Sequence, residues 1–222
     1  MMDWFVHKKY PEFWKAYLSS FKTKKEDDLN HARFVVFDTE TTGLDSKKDR
    51  VLSIGAISII NNTIDIANSF EIYLKQDLFK PETVEIHGIL KTGTIEKIHE
   101  KEAVKQFLNY IGNAILVGHH IDFDMAMINQ CLKRLGLPKL KNKTLDTGLL
   151  FKKTKQCKNT NKYYGLDELT EQFHIKKHDR HTASGDAYIT GILFLKIISI
   201  LKKERQLSLK DLFFKRRNRG LI

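Results

Sequence analysis

The chain has 222 residues, 41% of them hydrophobic and 29% charged, a composition that suits one α/β domain with a sizeable core. No run of 18 apolar residues offers a membrane span, no stretch reads as a flexible linker, and Met1 to Tyr10 lacks the apolar segment of a signal peptide. The two isolated cysteines, Cys131 and Cys157, argue against a disulfide framework or a zinc site, so a cytoplasmic protein is expected.

The net charge of +11 is unevenly placed. Lys139–Lys162 holds eight lysines against the single acid Asp146, and Lys202–Ile222 holds eight basic residues against Glu204 and Asp211. Two basic stretches on an otherwise slightly acidic chain suit a polyanionic partner such as a phosphate backbone, or else a solubilising surface.

In chain order, Trp4, Phe5, Tyr10, Phe13, Trp14, Tyr17, Leu18 and Phe21 recur at helical spacing, which predicts an amphipathic N-terminal helix packed on the domain. Arg33–Asp38 is a continuous apolar run and reads as a buried central strand. Val51–Ile60 is a second strand, Asn61-Asn62 a turn, and Thr63–Leu74 a returning third strand. Ala103, Phe107, Tyr110 and Ile111 mark a helix face. Ala114–Val117 follows as a strand, and Met125–Leu135 as a helix stopped by Gly136 and Pro138. Thr144–Asp146 predicts a short strand and Ala183–Leu201 a long helix. An antiparallel meander followed by βα units implies a mixed sheet flanked by helices.

Three acidic clusters carry the chemistry. In Asp38-Thr39-Glu40, strand alternation puts both carboxylates on one face at the end of a buried strand, where they repel and lose hydration unless a cation compensates. Hard ions such as Mg²⁺ or Mn²⁺ prefer such oxygens. In Gly118-His119-His120-Ile121-Asp122-Phe123-Asp124, Asp122 suits the helix cap. Asp124 shares the apolar stripe of Ile128, Cys131 and Leu135, within about 40° at 3.6 residues per turn. In His181-Thr182-Ala183-Ser184-Gly185-Asp186, Asp186 shares the stripe of Ile189, Leu193, Ile197 and Ile200, an expensive place for a lone acid. His181, five residues ahead, can fold back over the same place.

Together these strings resemble the three motifs of the DEDD exonucleases, histidine subclass. This is the DnaQ-like family, which includes the proofreading epsilon subunit of bacterial DNA polymerase III. Ile86-His87-Gly88-Ile89 also matches a segment of that family, and Thr182 stands where the tyrosine subclass has Tyr. The resemblance covers about Arg33 to Leu201. It implies a ribonuclease-H-like α/β fold and a 3′→5′ exonuclease with two ions, Mg²⁺ or Mn²⁺. Asp38 would bridge both ions, with Glu40 and Asp186 on the first and Asp124 on the second. His181 would be the general base, and Thr41, Gly43, Leu44 and His87 would contact the terminal nucleotide. The middle motif usually reads His-Asn, whereas this chain has His119-His120, which introduces a second candidate base.

The resulting organisation is an N-terminal extension over 1–30, an exonuclease domain over 31–201 and a basic tail over 202–222. Within the tail, Gln206–Phe213 resembles a sliding-clamp peptide, but Lys210 stands where an aromatic is often found, and an amphipathic segment packed on the domain is the favoured reading, while Lys215–Arg219 suits phosphates. Expected partners are single-stranded DNA 3′ ends, with a DNA polymerase or a clamp. RNA trimming and a non-catalytic polymerase- or clamp-binding module are the competing readings, the last disfavoured because it has no need to keep repelling carboxylates together.

Overall fold

In the computed structural model, which describes residues 10–22 and 28–214, the apolar run becomes the middle of a five-stranded sheet. This strand, β1 (Phe34–Thr41), lies between β2 (Val51–Ile60) and β4 (Ile115–Gly118), with β3 (Thr63–Tyr73) and β5 (Thr144–Asp146) at the edges. The first three strands are antiparallel, whereas β4 and β5 run parallel to β1. The mixed sheet expected from the sequence is therefore present. Asn61 and Asn62, at φ 52° and 58°, make the left-handed pair that closes a two-residue hairpin.

Strand alternation sorts the core into two halves. Phe34 and Val36 join Ile189, Leu193 and Phe194 of the long helix α7 (Ala183–Glu204) on one face. On the opposite face Val35 and Phe37 join Phe107 of α3 (Glu100–Ile111), Ile128 of α4 (Ile121–Arg134) and Trp14 of α1 (Glu12–Ser20). Carrying the alternation two residues further sends Asp38 and Glu40 toward α7 and Thr39 toward α4. Gly55, paired with Asp38 across the β1–β2 ladder, lets the start of α7 lie flat on the sheet. A Cβ there would fall 2.1 Å from the Ser184 backbone nitrogen.

α7 is long and apolar enough to cross a membrane by length and composition, but it is the buried central helix of this fold. Four short helices escaped the periodicity reading: α2 (Pro81–His87), α5 (Thr147–Phe151), α6 (Leu166–Gln172) and α8 (Leu209–Phe213). α4 starts earlier than expected. Its N-cap is His120 in the left-handed conformation, so Asp122 is a first-turn residue and not the cap.

The tail segment is packed rather than extended. Leu212 is buried, Leu207, Leu209 and Phe213 lie against the α7-side core, and Lys153 Nζ donates to the carbonyls of Asp211, Leu212 and Phe214. Those side chains would have to undock before they could serve as a clamp peptide. Trp4, Phe5 and the basic residues Lys215–Arg219 lie outside the described residues.

Candidate active site

The parallel strands β1, β4 and β5 end at the same edge, where open α/β sheets place their ligands. Asp38 and Glu40 leave β1 there on the α7 side. Asp186 meets them from the first turn of α7, whose N-cap Thr182 accepts from Gly185 N through Oγ1 at 3.1 Å. One carboxylate oxygen from each of Asp38, Glu40 and Asp186 lies within 4.8 Å of the others. Asp124, 3% exposed, comes from the first turn of α4. Its Oδ1 accepts from Thr39 N at 2.9 Å and Thr39 Oγ1 at 2.7 Å. Thr39 thus ties the fourth acid to the strand that carries the first two.

The acids disturb one another as their placement demands. Burial, then repulsion from Asp124, Asp186 and Glu40, holds the Asp38 carboxyl well above the usual carboxylate range. Burial and the charges of Asp186 and Asp124 push Glu40 up to about 7. Burial likewise raises Asp124 to about 7 despite its bonds from Thr39. Burial raises Asp186 too, opposed by Arg180 and His181. The Arg180 guanidinium reaches Asp186 Oδ2 through Nη1 and forks onto both Asp167 oxygens at 3.1 Å through Nε and Nη2. Asp186 Oδ1 is buried with no hydrogen-bond partner among the described residues. Hard oxygen donors, mutual repulsion and one orphaned carboxylate oxygen together fit a divalent cation.

His181 is exposed in the loop before α7, at φ 65°, close enough for its charge to act on Asp186. Thr41 and Gly43 shape the turn after β1, with Thr41 Oγ1 donating to Gly43 O at 2.8 Å. Leu44 stands 86% exposed beyond them. That turn is anchored by Asp49, which accepts from Thr42 Oγ1 at 2.9 Å and pairs with Lys80 at 2.6 Å. His87 ends α2. Its buried ring accepts from Ile89 N at 2.9 Å through Nδ1, leaving Nε2 without a partner among the described residues. The four acids are thus gathered at one sheet end, whereas His87 takes its hydrogen bond from its own turn. Thr39, Asp167 and Arg180 were not foreseen. Arg180 carried one signal, its place beside His181.

The family model described as Exonuclease matches residues 35–194, a span that includes all four acids and His181. The chain belongs to this exonuclease family. The epsilon subunit of DNA polymerase III from Aquifex aeolicus is 30% identical over 179 residues, covering 80% of this chain and 86% of that protein. The epsilon subunit from Buchnera aphidicola is 33% identical over 175 residues, covering 75% and 73%. A PolC-type DNA polymerase III from Caldanaerobacter subterraneus is 33% identical over 171 residues, but the chain spans only 12% of its length. Among solved structures, Escherichia coli exonuclease I in complex with a dT13 oligonucleotide superposes with a TM-score of 0.66 at 18% identity. The match covers 78% of this chain and 42% of that one, a likeness of fold. The DEDD resemblance drawn from the three motifs is borne out.

Proposed function

We propose that this exonuclease domain removes nucleotides from the 3′ end of single-stranded DNA, using two divalent ions, in proofreading beside a DNA polymerase. The observation that carries the metal reading is the convergence of Asp38, Glu40 and Asp186 oxygens within 4.8 Å, with one Asp186 oxygen left unpartnered in a buried site. Such a set is electrostatically incomplete without a cation. In this reading Asp38, Glu40 and Asp186 would hold one ion, and Asp38 with Asp124 would support the other. When bound, Mg²⁺ or Mn²⁺ would supply Lewis acidity to the nucleophile and to the leaving 3′ oxygen.

The chain's own residues do the rest. His181 takes the proton of the attacking water from its exposed loop, which leaves the ring accessible to bulk solvent for release of that proton. Thr39 holds Asp124 in register with Asp38. Thr41, Gly43, Leu44 and His87 receive the terminal nucleotide, with the unpartnered His87 Nε2 as a donor. The epsilon-type relatives support DNA as substrate and a polymerase as partner.

The deciding experiment follows 5′-labelled DNA and RNA oligonucleotides of one sequence with Mn²⁺, with Mg²⁺ and with EDTA. A descending ladder on DNA that requires metal is expected. Immediate release of a labelled mononucleotide would reverse the polarity, and faster shortening of RNA would move the substrate to RNA.

A further inference from the structure

The residues left unused by the proposed chemistry converge on the carboxyl ends of β4 and β5. Beyond the last β1–β4 pair, Val36 and Val117, β1 runs on to Asp38 and β4 ends at Gly118, so His119 and His120 follow at the sheet end that carries Asp38, with His120 capping the helix that carries Asp124. His120 is exposed and held at φ 61°, ψ 36°, a conformation most residues avoid. Its ring lies on Tyr163 with centroids 3.9 Å apart and planes 26° apart. Tyr163 is fixed in turn. Its hydroxyl donates to Asp146 at 2.8 Å and accepts from the His120 backbone at 3.1 Å. Below it Gly148 has no side chain to push it away, since a Cβ there would fall 2.5 Å from the ring's Cζ. The edge of His119 closes the side at 5.4 Å, and Lys152 Nζ stands 5.8 Å from the Tyr163 centroid. Exposed Lys155 and Lys158 follow on the same loop.

A glycine floor, a hydrogen-bonded tyrosine and a histidine on top form a rigid stack whose outer layer is an aromatic face open to solvent. A helix cap alone does not need it, because His120 caps through its backbone and makes no side-chain capping bond. A flat π face with lysines beside it has the chemistry that single-stranded nucleic acid recognises, base by stacking and backbone by charge. We propose that the His120–Tyr163 stack is a nucleobase subsite that receives an internal base of the substrate strand, upstream of the 3′-terminal nucleotide, with Lys152, Lys155 and Lys158 along its phosphates. This rests on the exonuclease reading and adds a position to it. It takes any base, so it favours length rather than sequence.

The test uses dT12 carrying a single 2-aminopurine at each successive position from the 3′ end, bound in EDTA at low ionic strength. Binding should quench the probe at one internal position as well as at the terminus. His120→Asn keeps a residue that tolerates the left-handed backbone but removes the ring. It should abolish the internal quench, leave the terminal one, and weaken dT12 binding about 5- to 150-fold, as expected for one lost base stack. With Mn²⁺ the same variant should lose much of the preference for dT12 over the dinucleotide, through KM rather than kcat. Tyr163→Leu, which removes the supporting layer, should move all three readouts in the same direction. A folded His120→Asn protein with an unchanged quench profile and unchanged affinity overturns the subsite. If the wild-type chain shortens no oligonucleotide, the exonuclease reading falls and the subsite with it. Shortening by the wild type with no internal quench sinks the subsite alone.

Discussion

Arg180 is ion-paired to Asp186, placing a guanidinium nitrogen on a carboxylate that also faces Asp38 and Glu40. The same group forks onto Asp167, and its charge lowers the upward shifts of Asp38, Glu40 and Asp186. Arg180 therefore offsets part of the repulsion within the acid cluster, and any ion that binds Asp186 must compete with it.

Arg180→Met should separate these effects. Without the guanidinium the metal-free cluster loses its counter-charge, and the melting temperature in EDTA should drop. For a chain of this size about 1 kcal/mol corresponds to roughly 2–4 °C. The Mn²⁺ concentration that gives half-maximal stabilisation should fall several-fold, because the competitor is gone. A weaker Mn²⁺ response would mean that Arg180 organises the acids for the ion instead of competing with it.

The raised carboxyl groups make metal-free stability depend on pH in a defined direction. Glu40 and Asp124 sit at about 7 when folded, against ordinary values of 4.5 and 3.8. Between these limits the folded chain holds protons that the unfolded chain has released. Stability from these groups is therefore full below about pH 4 and is lost as pH rises through about 7. Melts in EDTA from pH 5 to 8 should show their contribution as a decline. The increment added by Mn²⁺ should grow over the same range, since deprotonated acids bind the ion. An increment that shrank with rising pH would contradict the assignment of these acids as ligands.

The site's acids were legible because two periodicities expose them. Alternation along the first strand aligns Asp38 with Glu40, and helical angles put Asp124 and Asp186 at the heads of buried stripes. What escaped depends on side chains whose partners are distant in sequence. Thr39 looks like a spacer between two acids until α4 brings Asp124 onto it across 85 residues. Tyr163 sits in a lysine-rich stretch without periodicity, and only the fold brings its hydroxyl to Asp146. Asp122 was the wrong cap because the left-handed His120 already turns the chain into α4. The short helices α2, α5, α6 and α8, of five to seven residues, complete too few turns for an apolar stripe to show.

Thr39 yields a sharper test than the acids do, because it is not placed as a ligand. Thr39→Val removes the 2.7 Å hydroxyl bond to Asp124 and keeps the backbone bond. A buried carboxylate that loses a donor should cost the metal-free protein about 1–3 kcal/mol and raise the Asp124 carboxyl further. Turnover should fall, most steeply at low pH where Asp124 is protonated, and Thr39→Ser should restore most of it. Equal activity of the Val and Ser variants across pH would remove Thr39 from the account of the site.

Asp38 and His181 should fail in different ways. Asp38→Ala removes a carboxylate that the proposed mechanism would share between both ions, so activity should disappear and Mn²⁺ should no longer raise the melting temperature appreciably. The substitution also relieves repulsion from Asp124, Asp186 and Glu40, so the metal-free protein should be no less stable than the wild type. An acid held by a structural ion pair would instead lose stability on truncation. His181→Ala leaves every carboxylate in place, so stabilisation by Mn²⁺ should survive while single-turnover rates fall by about 10²–10⁴-fold, the range for a lost general base. His120→Ala provides the comparison within the same assay. If His120→Ala abolished single turnover on a bound strand while His181→Ala left it near normal, the base would belong to the β4–α4 corner, and the exposed loop before α7 would lose its catalytic role.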